Sequence, residues 1–226
     1  MSEPKPLLEI QNLSFSYSKS KEKTKLLDNI SFSLPVGSCT ALLGNNGCGK
    51  STLFSILAGV RKPNSGKILV DGDPFKASAS HASLLGYVPQ ENPLIEELSA
   101  KDNLLLRFHG HRKDFERMLT STPMQLLDIA SFYKLPVKKL SGGMKRRLSL
   151  ACAFSNSPRL LLLDEPCSAL DFSMKRQMND CLTAYLKEGG TILLSTHEKE
   201  DLFLCTSLLF LKDGTLKEIS SDEIPY

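Results

Sequence analysis

The most constraining stretch of this 226-residue sequence is Gly44-Asn45-Asn46-Gly47-Cys48-Gly49-Lys50-Ser51, which fits the pattern GxxxxGK[ST]. It follows Cys39-Thr40-Ala41-Leu42-Leu43, a short, wholly apolar run of the kind found in a sheet covered on both faces. A helix is expected after it, from about Lys50 to Ala58, with Gly59 as the stop. Strand, glycine loop and helix in that order form a phosphate cradle. Gly44, Gly47 and Gly49 let the backbone curl so that the N–H groups of Asn45, Asn46, Cys48 and their neighbours turn inward. The positive end of the helix adds to the attraction for an anion. Lys50 is then placed to reach the outer phosphates, the Ser51 hydroxyl to ligate Mg²⁺, and Thr52 to stand beside it. Such a chain binds a nucleoside triphosphate.

A second constraint lies at Leu160-Leu161-Leu162-Leu163-Asp164-Glu165. Four apolar residues followed by two carboxylates are costly to bury unless the acids emerge at the strand's C-terminal edge, where α/β sheets place their ligands. Asp164 suits a Mg²⁺ shell, and Glu165, one residue on and pointing elsewhere, suits a general base for the attacking water.

The rest of the chain supplies the frame. Leu13, Phe15 and Tyr17 alternate with serines, as do Ile30, Phe32 and Leu34, predicting half-buried strands. The lysine-rich stretch 18–25 between them reads as a solvated hairpin loop, and Asp71-Gly72 as a tight turn. From about Glu91 to Ser157 the strand pattern gives way to short helices around Ala100–Phe108, Phe115–Leu119 and Met124–Ala130. Strands return at Leu160–Leu163, Thr191–Ser195 and Leu208–Leu211. A helix over Phe172–Lys187 carries Met174, Met178, Cys181, Leu182 and Tyr185 on one stripe, read as core. The organisation is an α/β core interrupted by one helical insertion.

Bulk properties exclude little. The net charge of +3 is too small to argue for nucleic acid or an anionic membrane. No stretch approaches the roughly 20 apolar residues that span a bilayer, and Met1–Pro6 lacks the features of a secretory signal. The six cysteines form no CxxC pair, so reduced thiols are expected, five of them as small buried hydrophobes. Cys48, inside the anion loop, is the exception. His81, His109 and His111 read as surface polar residues without matching ligands.

Leu140-Ser141-Gly142-Gly143-Met144 lies upstream of the Asp-Glu strand with a helix between, and Ser141 can cap that helix. The pentapeptide resembles the signature sequence of the ATP-binding cassettes of ABC transporters. Further features follow in that family's order. Tyr17 resembles the aromatic that stacks on adenine, and Gln90 the Q-loop glutamine. Ser168-Ala169-Leu170-Asp171 is similar to the D-loop, and His197 to the switch histidine at the γ-phosphate. The resemblance runs from about Leu7 to Lys217.

It implies an α/β fold with a P-loop NTPase core and mixed sheet, an N-terminal antiparallel β-subdomain and an inserted α-helical subdomain. The core lobe would cover about residues 1–90 and 158–226, and the helical lobe about 91–157. It also implies Mg²⁺-dependent ATP hydrolysis, with Lys50, Gln90, Glu165 and His197 as catalytic groups and Ser51, Gln90 and Asp164 around the metal. A homodimer or pseudo-dimer is implied, in which Ser141, Gly142, Gly143 and Asp171 complete the partner's ATP site. An integral membrane subunit would be the partner, with the cassette cytoplasmic on the inner face of the membrane and no nucleic acid involved. Met144 stands where Gln is commoner, and Cys167 where Thr or Ser is usual. The run Gly143–Leu148, and the chain's ending at Tyr226, favour an export subtype. A non-transport ABC ATPase acting on ribosomes or DNA is the alternative. A cassette that binds ATP without turnover is disfavoured by the presence of both Glu165 and His197.

Overall fold

The computed structural model describes residues 6–17, 25–75, 84–168 and 170–224. Most of the lysine-rich loop, His81, and Ala169 of the D-loop-like segment lie outside them.

Two sheets carry the chain. Strands β1 (Pro6–Phe15), β2 (Leu27–Pro35), β4 (Ser65–Val70) and β5 (Asp73–Pro74) form an antiparallel sheet in the order β2-β1-β4-β5. β4 and β5 are joined by Asp71 (φ 54°) and Gly72 (φ 88°), both left-handed as a tight hairpin of the primed type requires. The second sheet has the order β10-β9-β3-β8-β7-β6. Its members are β3 (Cys39–Leu43), β6 (Leu85–Val88), β7 (Leu160–Asp164), β8 (Thr191–Ser195), β9 (Ser207–Lys212) and β10 (Thr215–Ile219). All neighbours are parallel except β10, which runs antiparallel to β9, so the sheet is mixed as expected.

Every residue of β3, β7 and β8 is buried, because the sheet is covered on both faces. The period-2 alternation of the strands sorts their side chains between two cores. Ala41, Leu43, Leu161, Leu163, Ile192 and Leu194 face one, where the helical insertion packs. Leu42, Leu160, Leu162, Leu193 and Leu209 face the other, which holds helix α1 (Lys50–Leu57) and the antiparallel sheet. α1 contributes Leu53, Phe54, Ile56 and Leu57, each worth about 1.5–3 kcal/mol when fully buried.

The insertion holds α2 (Ala100–Arg107), α3 (Arg112–Leu119), α4 (Thr122–Leu126) and α5 (Gly142–Phe154). Ser99 and Asp102 close a reciprocal capping box at the start of α2. The helix expected to run to Ala130 stops earlier. Asp128 turns left-handed (φ 47°) and a 3₁₀ turn, Ile129–Phe132, follows. The cause is Arg147, which donates to the Leu127 carbonyl at 3.2 Å and pairs with the Asp128 carboxylate at 3.5 Å. Leu104, Phe115, Met124 and Leu148 share one apolar cluster with the sheet face beneath them, so the insertion has no core of its own. α6 (Phe172–Lys187) buries Met178, Cys181, Leu182 and Tyr185 as the stripe predicted. Met174 is only half-buried, and its role is elsewhere.

Strands β3, β8, β7 and the edge strand β6 all run the same way, so their C-terminal ends open on one edge. That edge receives Gly44, Pro89-Gln90, Asp164-Glu165 and Ser195-Thr196 together.

The approach of α5 to the sheet depends on Gly86 in β6. A Cβ there would lie 2.7 Å from the Ala153 carbonyl oxygen and 2.7 Å from Leu161. Gly86→Val is expected to cost about 2 kcal/mol by overpacking and to lower Tm by about 6 °C, read by thermal denaturation. An unchanged Tm would show that α5 is not held this closely.

Candidate functional site

At the end of β3 the backbone leaves the ordinary range: Gly44 has φ 150° and Gly49 φ 113°. A Cβ on Gly44 would sit 2.4 Å from the Leu211 carbonyl oxygen, so only glycine allows the loop to pass this close to β9. Lys50, 6% exposed, donates from Nζ to the carbonyls of Gly44 at 2.7 Å and Asn45 at 3.3 Å. These bonds hold the loop curled around the start of α1.

A cleft of about 500 Å³ opens over this loop. Asn46, Gly47, Gly49, Lys50, Ser51 and Thr52 form its floor, Tyr17 and Leu26 one wall, and Gln90, Glu165 and His197 the other. Tyr17 falls just beyond β1, so the strand alternation that included it stops one step early. Its ring is 65% exposed yet held on three sides. The hydroxyl bonds Thr52 Oγ1 at 2.8 Å, Phe15 packs edge-on with centroids 5.1 Å apart, and the Arg61 guanidinium lies 5.1 Å from the ring centroid. The remaining open face is what a stacking base requires.

Asp164 and Glu165 diverge as the strand-end argument demands. Asp164 is 2% exposed and accepts the Ser195 hydroxyl at 2.5 Å. Glu165 then takes a left-handed backbone (φ 49°), which swings its carboxylate into the cleft. Its N–H donates to the Ser195 carbonyl and to Ser195 Oγ, both at 3.1 Å. Glu165 Oε2 accepts from Gln90 Nε2 at 3.2 Å, while Oε1 stands 3.3 Å from His197 Nε2. The segment after His197 is pinned by buried Asp201, which accepts the Thr196 hydroxyl at 2.6 Å and whose carboxyl is raised above the usual range by burial. Burial, and then the Asp164 charge, push the Tyr87 hydroxyl up to about 12, so that ring stays neutral beside the acids.

The donor set fits a hard divalent cation. Ser51 and Gln90 line the cleft, and Ser195 engages only one oxygen of Asp164. Among the described residues there is no cluster of three or more His, Cys, Asp or Glu. A site of one or two protein oxygens completed by phosphates is the habit of Mg²⁺.

Not every predicted residue arrives at this cleft. Cys48 does not line it. The thiol lies behind the loop, in a neighbouring hollow with Lys25, Leu211 and Lys212, so this residue offers the cradle only backbone. Ser141 caps α5, accepting from the Met144 N–H at 3.2 Å, with Gly142 open to solvent. A Cβ on Gly143 would be 1.9 Å from Met174 Sδ, which explains Met174's departure from the α6 core. Asp171 caps α6, accepting from Ser173 Oγ at 2.7 Å and Met174 N at 2.9 Å, and these bonds hold its carboxyl below the usual range. None of Ser141, Gly142, Gly143 or Asp171 lines the cleft. His109 and His111 lie on the surface. Of the five cysteines read as buried, Cys205 is only half-buried. A larger cavity of about 620 Å³, between Met124, Ile129 and Phe132, is predominantly apolar and lies away from these groups.

Two residues escaped the sequence reading. Ser195, the last residue of β8, joins Asp164 to Glu165. Arg146, 4% exposed on α5, donates to the carbonyls of Pro89 and Asp164 at 2.7 and 2.8 Å, and of Glu165 and Pro166 at 2.7 and 2.9 Å. Its position after Ser141-Gly142-Gly143 gave a hint, but a basic residue on a helix reads as solvated. Burial lowers its basicity, and the nearby Cys167, Asp164 and Glu165 oppose that.

A glycine loop at the C-terminal end of one parallel strand, with a carboxylate pair at the same end of the next strand but one, defines a P-loop nucleotide-binding domain. Residues 27–168 match the ABC transporter family profile. The chain is 41% identical to the Nod factor export ATP-binding protein I of Sinorhizobium fredii, over 92% of this chain and 60% of that protein. It is 33% identical to the spermidine/putrescine import ATP-binding protein PotA of Spiroplasma citri, over 95% of this chain and 61% of that protein. A solved ATP-binding subunit of an ABC transporter superposes with a TM-score of 0.85 at 27% identity, covering 96% of this chain and 91% of the other. The chain belongs to the ABC transporter family, as an ATP-binding cassette. It spans about three-fifths of the length of the curated relatives it matches.

Arg146→Met would leave buried carbonyls at the site without a donor. It is expected to cost about 3 kcal/mol, seen as a lower urea midpoint at unchanged slope. Arg146→Lys should recover part of the loss, since an ammonium satisfies fewer carbonyls than the planar fork. An unchanged midpoint in the methionine variant would remove Arg146 from this role.

Proposed function

We propose that the chain hydrolyses ATP and that two copies, or this chain and a similar one, close around ATP to drive a separate membrane subunit. The observation that carries the reading is the meeting of Gln90, Glu165 and His197 across one cleft from Lys50 and Ser51. In this reading Tyr17 stacks on the base. The backbone N–H groups of residues 44–51 hold the phosphates, and Lys50 exchanges its loop carbonyls for phosphate oxygens. Ser51, Asp164 and Gln90 would hold Mg²⁺, which when bound neutralises phosphate charge. Glu165 takes the proton of the attacking water, Gln90 orients that carboxylate, and His197 donates toward the γ-phosphate.

Ser141, Gly142, Gly143 and Asp171 stand exposed or half-exposed on another part of the surface. A role at a second copy's ATP agrees with that placement, since small residues at an exposed helix N-terminus suit an anion brought by a partner. The membrane subunit would dock beside Gln90, where Ile95, Leu105 and Leu106 are exposed apolar residues. Among the described residues no helix is long and apolar enough to cross a membrane. Attachment to the inner membrane face through the partner is therefore part of the proposal. So is export, favoured by the higher identity to the Nod factor relative than to the polyamine importer.

Glu165→Gln should retain ATP binding, slow turnover roughly 100-fold or more, and trap an ATP-bound dimer on gel filtration. Near-normal hydrolysis would reassign the base. Ser141→Arg should leave ATP binding to the monomer almost intact while abolishing ATP-driven dimerisation. Mixed with Lys50→Ala, it should regain some activity, because the mixed dimer pairs both lesions in one site and spares the other. Weakened ATP binding to the isolated Ser141→Arg monomer would place the serine in its own chain's site.

A further inference from the structure

The six cysteines are all free thiols, and two of them touch: Cys39 Sγ and Cys205 Sγ are 3.6 Å apart. The contact is built by the sheet. β3 and β9 are parallel neighbours with Thr40 opposite Ser207, which places Cys39, the first residue of β3, beside the segment that leads into β9. The Thr206 N–H donates to the Cys39 carbonyl at 2.7 Å and its hydroxyl donates to the same oxygen at 3.0 Å, so the two backbones are clamped at this point. The other four thiols have different surroundings. Cys152 Sγ lies against the Asn103 carbonyl, Cys181 Sγ against that of Pro123, Cys167 Sγ near Asn179 Oδ1, and Cys48 Sγ behind the glycine loop.

The two sulfurs differ in access. Cys39 is 1% exposed, and with Cys205 reduced its thiol is pushed up by the neighbouring Cys205 thiol and by burial. Cys205 is half-buried, and its Sγ donates weakly to the Asp201 carbonyl at 3.5 Å. A small oxidant therefore reaches Cys205 first, with a second thiol already in van der Waals contact. A bond of about 2.05 Å requires the sulfurs to close by about 1.5 Å, a movement that falls to the half-buried Cys205 side chain.

We propose that Cys39 and Cys205 are a two-thiol oxidation site, closed by a hydroperoxide into a reversible disulfide that staples β3 to the segment behind His197. The Cys205 sulfur attacks one oxygen of hydrogen peroxide and the O–O bond breaks. The departing hydroxide takes the thiol proton as water and leaves Cys205 as a sulfenic acid. The Cys39 sulfur then attacks the sulfenic sulfur, the S–O bond breaks, and the Cys39 proton leaves with that hydroxide as a second water. Two thiols lose two electrons, and one peroxide becomes two waters. The staple joins residues 166 apart in sequence, one heading the strand that carries the phosphate loop. The other follows the short helix Lys199–Leu202 that succeeds His197. It restrains the unfolded chain strongly and the segment 197–206 in the folded one.

The test treats the folded full-length chain with hydrogen peroxide, alkylates the remaining thiols, and maps peptides by mass spectrometry. The expected product has lost two hydrogens, contains a linked Cys39–Cys205 peptide, returns to four plus two free thiols with dithiothreitol, and melts about 5–15 °C higher than the reduced chain. Cys205→Ser should abolish the link. Cys39→Ala, and independently Cys39→Ser should the first not fold, should leave Cys205 to proceed to sulfinic acid. Six alkylatable thiols after peroxide, a link through any other cysteine, sulfinic acid at Cys205 with Cys39 free in the wild type, or an unchanged Tm for the linked chain would overturn the proposal.

Discussion

The guanidinium of Arg146 sits in the interior where three separate stretches of chain meet. Its nitrogens satisfy carbonyls from the segment after β6 and from the end of β7 and the turn that follows. A strand end in a covered sheet leaves carbonyls that the ladder no longer pairs, and each is expensive when buried alone. One planar, permanently charged group can serve several at once, which a shorter or neutral side chain cannot. Because Arg146 belongs to α5, the same bonds tie the helix headed by Ser141, Gly142 and Gly143 to the places from which Gln90 and Glu165 project. The insertion is thus joined to the nucleotide edge by hydrogen bonds as well as by the apolar cluster beneath it.

The cleft shows how little side-chain chemistry its floor contains. The glycine loop is shaped by backbone, with Gly44 close against Leu211, and Lys50 closes it through two carbonyls. Charge is supplied from the opposite wall, where the left-handed turn at Glu165 separates it from Asp164. Neighbouring carboxylates with like surroundings would repel and share one behaviour. Here one is buried against Ser195 and the other faces Gln90 and His197, so they are free to do different work. The positive φ at Glu165 is a local cost accepted for that separation.

The elements were legible in the chain wherever a pattern was strong. The continuous apolar runs of β3, β7 and β8, the hairpin at Asp71-Gly72, and the Phe172–Lys187 helix follow from local sequence, and the capping of α5 by Ser141 follows from its position. The break at Asp128 was not legible, since it depends on Arg147, a residue distant in the chain that takes the Leu127 carbonyl. Met174 fits the apolar stripe of its helix, yet its surroundings are set by Gly143, which leaves it space.

By itself, then, the amino-acid order determined the phosphate loop, the acid pair, the strands that present them, and the kinship with ATP-binding cassettes. Those are short-range facts, in which spacing and residue type are the chemistry. Tertiary structure alone decided that Ser195 bridges Asp164 to Glu165, that the Cys48 thiol faces away from the cradle, and that Arg146 is buried. It also brought the sulfurs of Cys39 and Cys205 into contact. Each of these depends on which side of a sheet a residue meets and on what another strand or helix places there. Such pairings are made across long separations by the packing of two faces at once, and no local pattern encodes them.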